Sequence, residues 1–203
     1  MKIFDVATAT NRERFFSVDG FPWLELEDMR SSDPTAPFDG GWPTPEFIIY
    51  REPLPGDGID RYLPSLVSHD ASRYLILRDQ AIDSLSGLLE PYGELLPLSC
   101  DEAKMMIWWP QVVVDCLNDA KSDNGNLLWA PTGKKVLGLD FPVFRPELVP
   151  QTGAFILPQP KYPNLVFFTE ELVEKMLATG DTVGVHFRKM WDSEKPDCSS
   201  FFS

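Results

Sequence analysis

Histidine, cysteine and basic side chains are all scarce in this chain of 203 residues: two, three and eighteen respectively. Cys100, Cys116 and Cys198 are far apart and odd in number, which excludes a CxxC-type zinc or redox pair and a disulfide scaffold. No glycine-rich phosphate loop, nucleophile elbow or metal-binding helix pair occurs. Long apolar runs are missing too. The longest, Met105 to Val114, is about half of what crosses a bilayer and is interrupted by Pro110. Against 18 basic residues stand 31 acidic ones, a net charge of −13, and a field of that sign repels phosphate backbones.

What is present describes a globular protein. The hydrophobic share is 43% and the aromatic share 12%. A chain of this length buries roughly 70% of its unfolded surface, so the core needs no staples. Nineteen prolines favour short strands and extended connections over long helices, because proline fixes φ and removes a donor. The acidic excess is uneven: residues 1–70 hold 6 basic and 13 acidic side chains, a net of −7. Such a field accelerates encounter with a basic protein and also keeps the chain soluble. Met1-Lys2-Ile3-Phe4-Asp5 lacks the basic region and apolar core of a signal peptide, so a reducing, cytoplasmic home is expected.

The local patterns predict an α+β fold: a mixed, mainly antiparallel sheet, a few short helices and a loop-rich N-terminal third. Strands are expected within Phe15–Leu26, then at Phe47–Tyr50, Tyr74–Leu77, Leu95–Leu98, Met105–Trp109 and Val112–Val114. A hairpin is expected from Asn126–Trp129 and Lys135–Leu139. Asp79 is placed to cap a helix with Ile82, Leu85, Leu88 and Leu89 on one face. The C-terminal unit is the best punctuated. Phe155–Leu157 and Leu165–Phe168 read as strands, and Thr169 as the cap of a helix whose apolar face is Leu172, Val173, Met176 and Leu177. Gly180 stands at a left-handed C-terminal stop, and Thr182–Phe187 as a final strand. The residues from Asp192 on read as a polar, frayed tail. No internal repeat is legible.

Nothing reactive stands out. His69, in Ser68-His69-Asp70, has triad residue types merely adjacent in sequence, whereas catalytic partners converge from separate elements. His186 reads as a half-buried strand residue. Asp39-Gly40-Gly41 and Gly56-Asp57-Gly58 read as turns, and Asp79 and Asp83 as an exposed helix face. Cys116 among apolar neighbours behaves as a small hydrophobe. No catalytic residue, cofactor or metal is expected.

Three blocks resemble immunity protein family eleven of bacterial polymorphic-toxin systems, formerly a domain of unknown function. The first is Leu75-Ile76-Leu77-Arg78-Asp79 with Leu85 and Glu94-Leu95-Leu96-Pro97-Leu98. The second is Ile107 to Ser122, in which Val113-Val114-Asp115-Cys116-Leu117-Asn118 is similar to a "vvdcLD" stretch with Asn118 replacing the aspartate. The third runs from Phe155-Ile156-Leu157 through Val166-Phe167-Phe168-Thr169-Glu170 to Gly184-Val185-His186-Phe187 and Trp191; Pro158 departs from the pattern. The likeness spans about residues 60–191. It divides the chain into one domain, 1–191, with a variable loop-rich part (1–60) and a family-like core (60–191), then a tail, 192–203.

The resemblance implies a non-catalytic protein that binds and neutralises a cognate toxin; the acidic charge suits a basic toxin, and neither nucleic acid nor membrane is expected as a partner. The acidic, aromatic-bearing N-terminal third is the expected contact region: Trp23, Glu25, Glu27, Asp28, Asp33, Phe38, Asp39, Trp42, Asp57 and Asp60. The same aromatics also read as core and the same acids as a solvated surface, the commoner arrangement for such residues. The alternatives are a small-molecule or peptide-binding module and an enzyme with scattered acidic residues.

Overall fold

The computed structural model describes residues 1–9, 13–18, 35, 37–38, 41–51, 65–69, 74–122, 126–130, 133–139, 141–158 and 165–195, and among these residues it holds twelve strands, two α-helices and a 3-10 turn at Glu90–Tyr92. Four strands make the first sheet: β10 (Ala154–Ile156), β11 (Val166–Thr169), β1 (Lys2–Thr8) and β12 (Val185–Asp192), in that order. Four make the second: β4 (Val67–His69), β5 (Leu75–Arg78), β7 (Met105–Pro110) and β6 (Gly93–Leu98). Two hairpins complete the set, β2 (Arg14–Ser17) with β3 (Phe47–Tyr50), and β8 (Asn126–Ala130) with β9 (Gly133–Gly138). Each paired strand runs antiparallel to its neighbour; the parallel contacts among the described residues are the isolated bridges Glu46–Ser99 and Val113–Ile156. The fold is α+β and dominated by antiparallel sheet, as the local patterns predict, with the strands divided among four sheets.

Both four-stranded sheets are covered on both faces, which is why β5, β7 and β11 read as nearly continuous apolar runs and not as alternation. In β5, Leu75 and Leu77 point into a central core while Ile76 points out of it into a second cluster. In β11, Val166 and Phe168 face the central core and Phe167 a third cluster. The central core lies between the two sheets and is closed by α1 (Gln80–Leu89) and α2 (Glu170–Ala178), which touch each other. Ala81, Ile82, Leu85 and Leu89 supply one buried stripe, Leu172, Val173 and Met176 the other. Behind the first sheet, Ile3, Phe155, Phe167 and Trp191 pack against Leu117, Leu139 and Phe144. Behind the second, Ile76, Leu96, Ile107 and Trp109 pack against Phe15, Phe47 and Ile49 of the β2–β3 hairpin.

Several local expectations are corrected. Asp79 precedes α1 at φ 48° but makes no capping bond; its Oδ1 accepts from Lys104 N at 3.2 Å and its Oδ2 from Arg78 Nε at 2.9 Å. Thr169 precedes α2 in extended conformation, and its hydroxyl accepts from Gly153 N at 2.8 Å instead of capping. Both side chains serve a neighbouring segment, so tertiary contact overrides the local preference. Gly180 does take the left-handed stop, φ 78°. Val112–Val114 makes one bridge and no strand. The final strand starts three residues later than predicted, at Val185, and runs on to Asp192, whose carboxylate is buried and accepts from Glu194 N at 3.1 Å. That hydrogen bond holds the Asp192 carboxyl below its usual range. His186 is exposed. Among the described residues no helix is long and apolar enough to cross a membrane.

Candidate functional site

The β2–β3 hairpin has two apolar faces and buries only one. Its register sets Arg14 opposite Tyr50, Phe15 opposite Ile49, Phe16 opposite Ile48 and Ser17 opposite Phe47. Phe15, Phe47 and Ile49 are buried against the second sheet. Phe16, Ile48 and Tyr50 therefore point the opposite way, since side chains alternate along a strand. With Val18 they are 43 to 48% exposed, and four large apolar side chains at that level on one small sheet form a patch beyond the scattered exposure that is normal. Phe16 and Tyr50 meet edge to face, ring centroids 5.6 Å apart, so these two rings form one continuous apolar surface.

The hairpin is tied down by charge. Glu13 stands just before β2, buried, and its carboxylate accepts from Arg51 Nε at 2.7 Å and from an Arg78 guanidinium nitrogen. Arg51 follows β3 and also reaches Glu102 at 2.8 Å; these two hydrogen bonds, Glu102 first, raise the Arg51 pKa further. The end of the pair where β2 begins and β3 stops is thus clamped to the end of β5 and the β6–β7 connection.

Of the ten residues singled out from sequence, Phe38 and Trp42 lie among the described residues; Trp23, Glu25, Glu27, Asp28, Asp33, Asp39, Asp57 and Asp60 lie outside them. Phe38 and Trp42 are half-buried and make an aromatic cluster with Trp109, at centroid separations of 5.2 Å for Phe38–Trp42, 5.2 Å for Phe38–Trp109 and 6.4 Å for Trp42–Trp109. Trp42 Nε1 donates to the Pro97 carbonyl at 2.6 Å, and Phe38 N donates to the Glu94 carboxylate. Packing on the outer core is what these two rings do here. The exposed face of Phe16, Val18, Ile48 and Tyr50 escaped the sequence reading. Its signal was the Phe47-Ile48-Ile49-Tyr50 run itself, apolar at both parities on a short strand.

A cleft of about 290 Å³ opens at the start of α2, lined by Met1, Gln151, Thr169, Glu170, Glu171 and Glu174. Two of its carboxylates, Glu170 and Glu171, have partners within the chain. Glu170 accepts from Lys2, and Glu171 from Lys175 at 2.7 Å and from the Thr152 hydroxyl. The Lys175 and Thr152 hydrogen bonds lower the Glu171 pKa, and the Glu170 bond raises that of Lys2. Cys116 is fully buried, and burial pushes its thiol up to about 12, which keeps it protonated and unreactive near neutral pH. Among the described residues no group of three His, Cys, Asp or Glu side chains is placed to hold a metal ion. No protein-family model matches the chain, and no curated protein matches it significantly.

Proposed function

We propose that this chain is an immunity protein that binds and neutralises a cognate bacterial toxin by protein–protein contact, without catalysis. The observation that carries the reading is the exposed apolar face of Phe16, Val18, Ile48 and Tyr50. A rigid aromatic and aliphatic patch on a clamped hairpin has the composition of an interface centre. The occupant we assign to it is a basic toxin domain. The hairpin belongs to residues 1–70, which carry a net charge of −7, and a field of that sign draws in a cationic partner before the apolar face docks. The resemblance to immunity protein family eleven supports the same reading.

The test is co-expression with the product of the adjacent gene, scoring growth rescue and co-purification. An Ile48→Lys/Tyr50→Asp variant should keep the far-UV spectrum of the parent, since both side chains point to solvent. It should bind the toxin more than about tenfold more weakly. Rescue and affinity equal to the parent's would remove the hairpin from the interface, and a neighbouring product that neither binds nor kills would remove the immunity reading itself.

A further inference from the structure

Among the described residues the strands and α-helices fall into two halves of like order. From β1 to β6 they run strand, antiparallel pair, strand, strand, helix, strand, and from β7 to β12 that order recurs, without a counterpart to the 3-10 turn Glu90–Tyr92 of the first half. The pairing registers coincide as well. Val67, Ser68 and His69 pair with Leu77, Ile76 and Leu75; Ala154, Phe155 and Ile156 pair with Phe168, Phe167 and Val166. Overlaying those ladders makes Leu77 the equivalent of Phe168, and the next partners agree: Leu77 pairs with Met106 on β7, Phe168 with Phe4 on β1. Flanking bonds match too. Arg78 N donates to Leu66 O at 2.8 Å and Thr169 N to Gly153 O at 2.9 Å; Gln111 N donates to Tyr92 O and Ala9 N to Gly184 O.

Burial follows the same correspondence. Trp108 and Val6 both enter the central core, and Leu95 and Phe187, their cross-strand partners, both pack at its margin. Past a β-bulge that the β1–β12 ladder has and the β6–β7 ladder lacks, Leu98 opposite Met105 corresponds to Trp191 opposite Ile3, each pair on the outer face of its own sheet. One pair differs in chemistry and in burial: Leu96 opposite Ile107 is apolar and buried, whereas the exposed Arg188 forms an ion pair with the buried Asp5 opposite it.

The first strand of each half does not join its own half. β1 is inserted between β11 and β12, and β7 between β5 and β6. We infer that the chain is a fused, strand-exchanged pair of one folding unit, in which each half donates its first strand to complete the other's sheet. The partner this unit fits is therefore a second copy of itself, here supplied by the same chain, an arrangement otherwise reached by domain swapping between protomers. The β6–β7 connection, residues 99–104, is on this account a tether. Its counterpart is the approach of the ends of β12 and β1, where Ser193 N donates to Met1 O and the Met1 ammonium to Ser193 Oγ, both at 2.9 Å.

The experiment uses the full chain with a protease site placed between Asp101 and Glu102. After cleavage of the folded protein, the two pieces should elute together at the volume of the uncut chain and unfold in one transition, because neither has a complete sheet alone. Separation of the pieces, or two independent transitions, overturns the inference. If the site resists cleavage, a circular permutant decides: Ser203 is joined to Met1, residues 196–203 serve as the connection, and the chain opens at Glu102. It should show the parent's far-UV and near-UV spectra and one transition. A permutant lacking fixed near-UV signal overturns the inference equally.

Discussion

The Trp108 indole N–H donates to the Leu89 carbonyl at 3.0 Å, tying a central strand of the second sheet to the last turn of α1. Both residues are wholly buried in the central core. Trp108→Ala should cost about 3–5 kcal/mol, the range for deleting a large buried aromatic. Trp108→Phe keeps most of the packing but leaves the Leu89 carbonyl without this donor, for about 1–3 kcal/mol. Urea unfolding with a constant slope measures both. A Trp108→Ala cost no larger than that of Trp108→Phe would show that the bond, and not the ring, holds the joint.

Glu13 is expected to control the hairpin more than the global fold. Its removal as Glu13→Ala takes one acceptor from Arg51 and one from Arg78, but Arg51 keeps Glu102 and Arg78 keeps Asp79. The loss should therefore fall short of the 3–5 kcal/mol of a fully buried pair, at about 1–3 kcal/mol. Because the clamp joins the ends of β2 and β3, amide exchange should accelerate in Phe15, Phe16 and Ile49 before it does in β5 or β7. Uniform acceleration across all strands would mean that Glu13 has no special hold on the hairpin.

Two glycines with positive φ should differ sharply in their tolerance of a methyl group. Gly184 has φ 113°, and a Cβ there would sit 2.2 Å from the Val67 carbonyl oxygen, a backbone atom that cannot swing aside. Gly184→Ala should cost about 2–5 kcal/mol from conformational strain and overpacking together. Gly180, at φ 78°, faces open space, so Gly180→Ala should cost only the left-handed penalty, about 1–2 kcal/mol. Equal thermal shifts for the two variants would sink the packing argument.

The C-terminal unit was legible because its signals are local. An apolar run, a helix with Glu170 and Glu171 in its first turn, and Gly180 at its stop each follow from nearest neighbours. Asp79 and Thr169 were legible as helix starts and not in their bonding, since Lys104 and Gly153, which bind them, are distant in sequence. The duplication was illegible for a related reason. Equivalent positions share cross-strand partners but not identity: Trp108 matches Val6, and the Leu96–Ile107 pair matches Arg188–Asp5. The exposed hairpin face needed the structure because Phe47-Ile48-Ile49-Tyr50 is apolar at every position, and only the second sheet decides which parity is covered.

Cys116 gives a pH signature with a definite sign. Burial raises its thiol from 9.0 to about 12, so the folded chain holds the proton where the unfolded chain has released it. Below pH 9 both states are protonated and the thiol contributes no pH dependence. From pH 9 to about 12 the folded state binds more protons than the unfolded state, and the contribution of this residue to stability falls as pH rises. The difference in unfolding free energy between the parent and Cys116→Ala should therefore shift steadily in favour of the alanine variant across that window and be constant below it. In the native protein at pH 8, an alkylating reagent should leave Cys116 unmodified while labelling the partly exposed Cys100, as read by mass spectrometry. Prompt native-state labelling of Cys116 would mean that the Phe144 and Phe155 cluster around it opens far more readily than a fully buried core should.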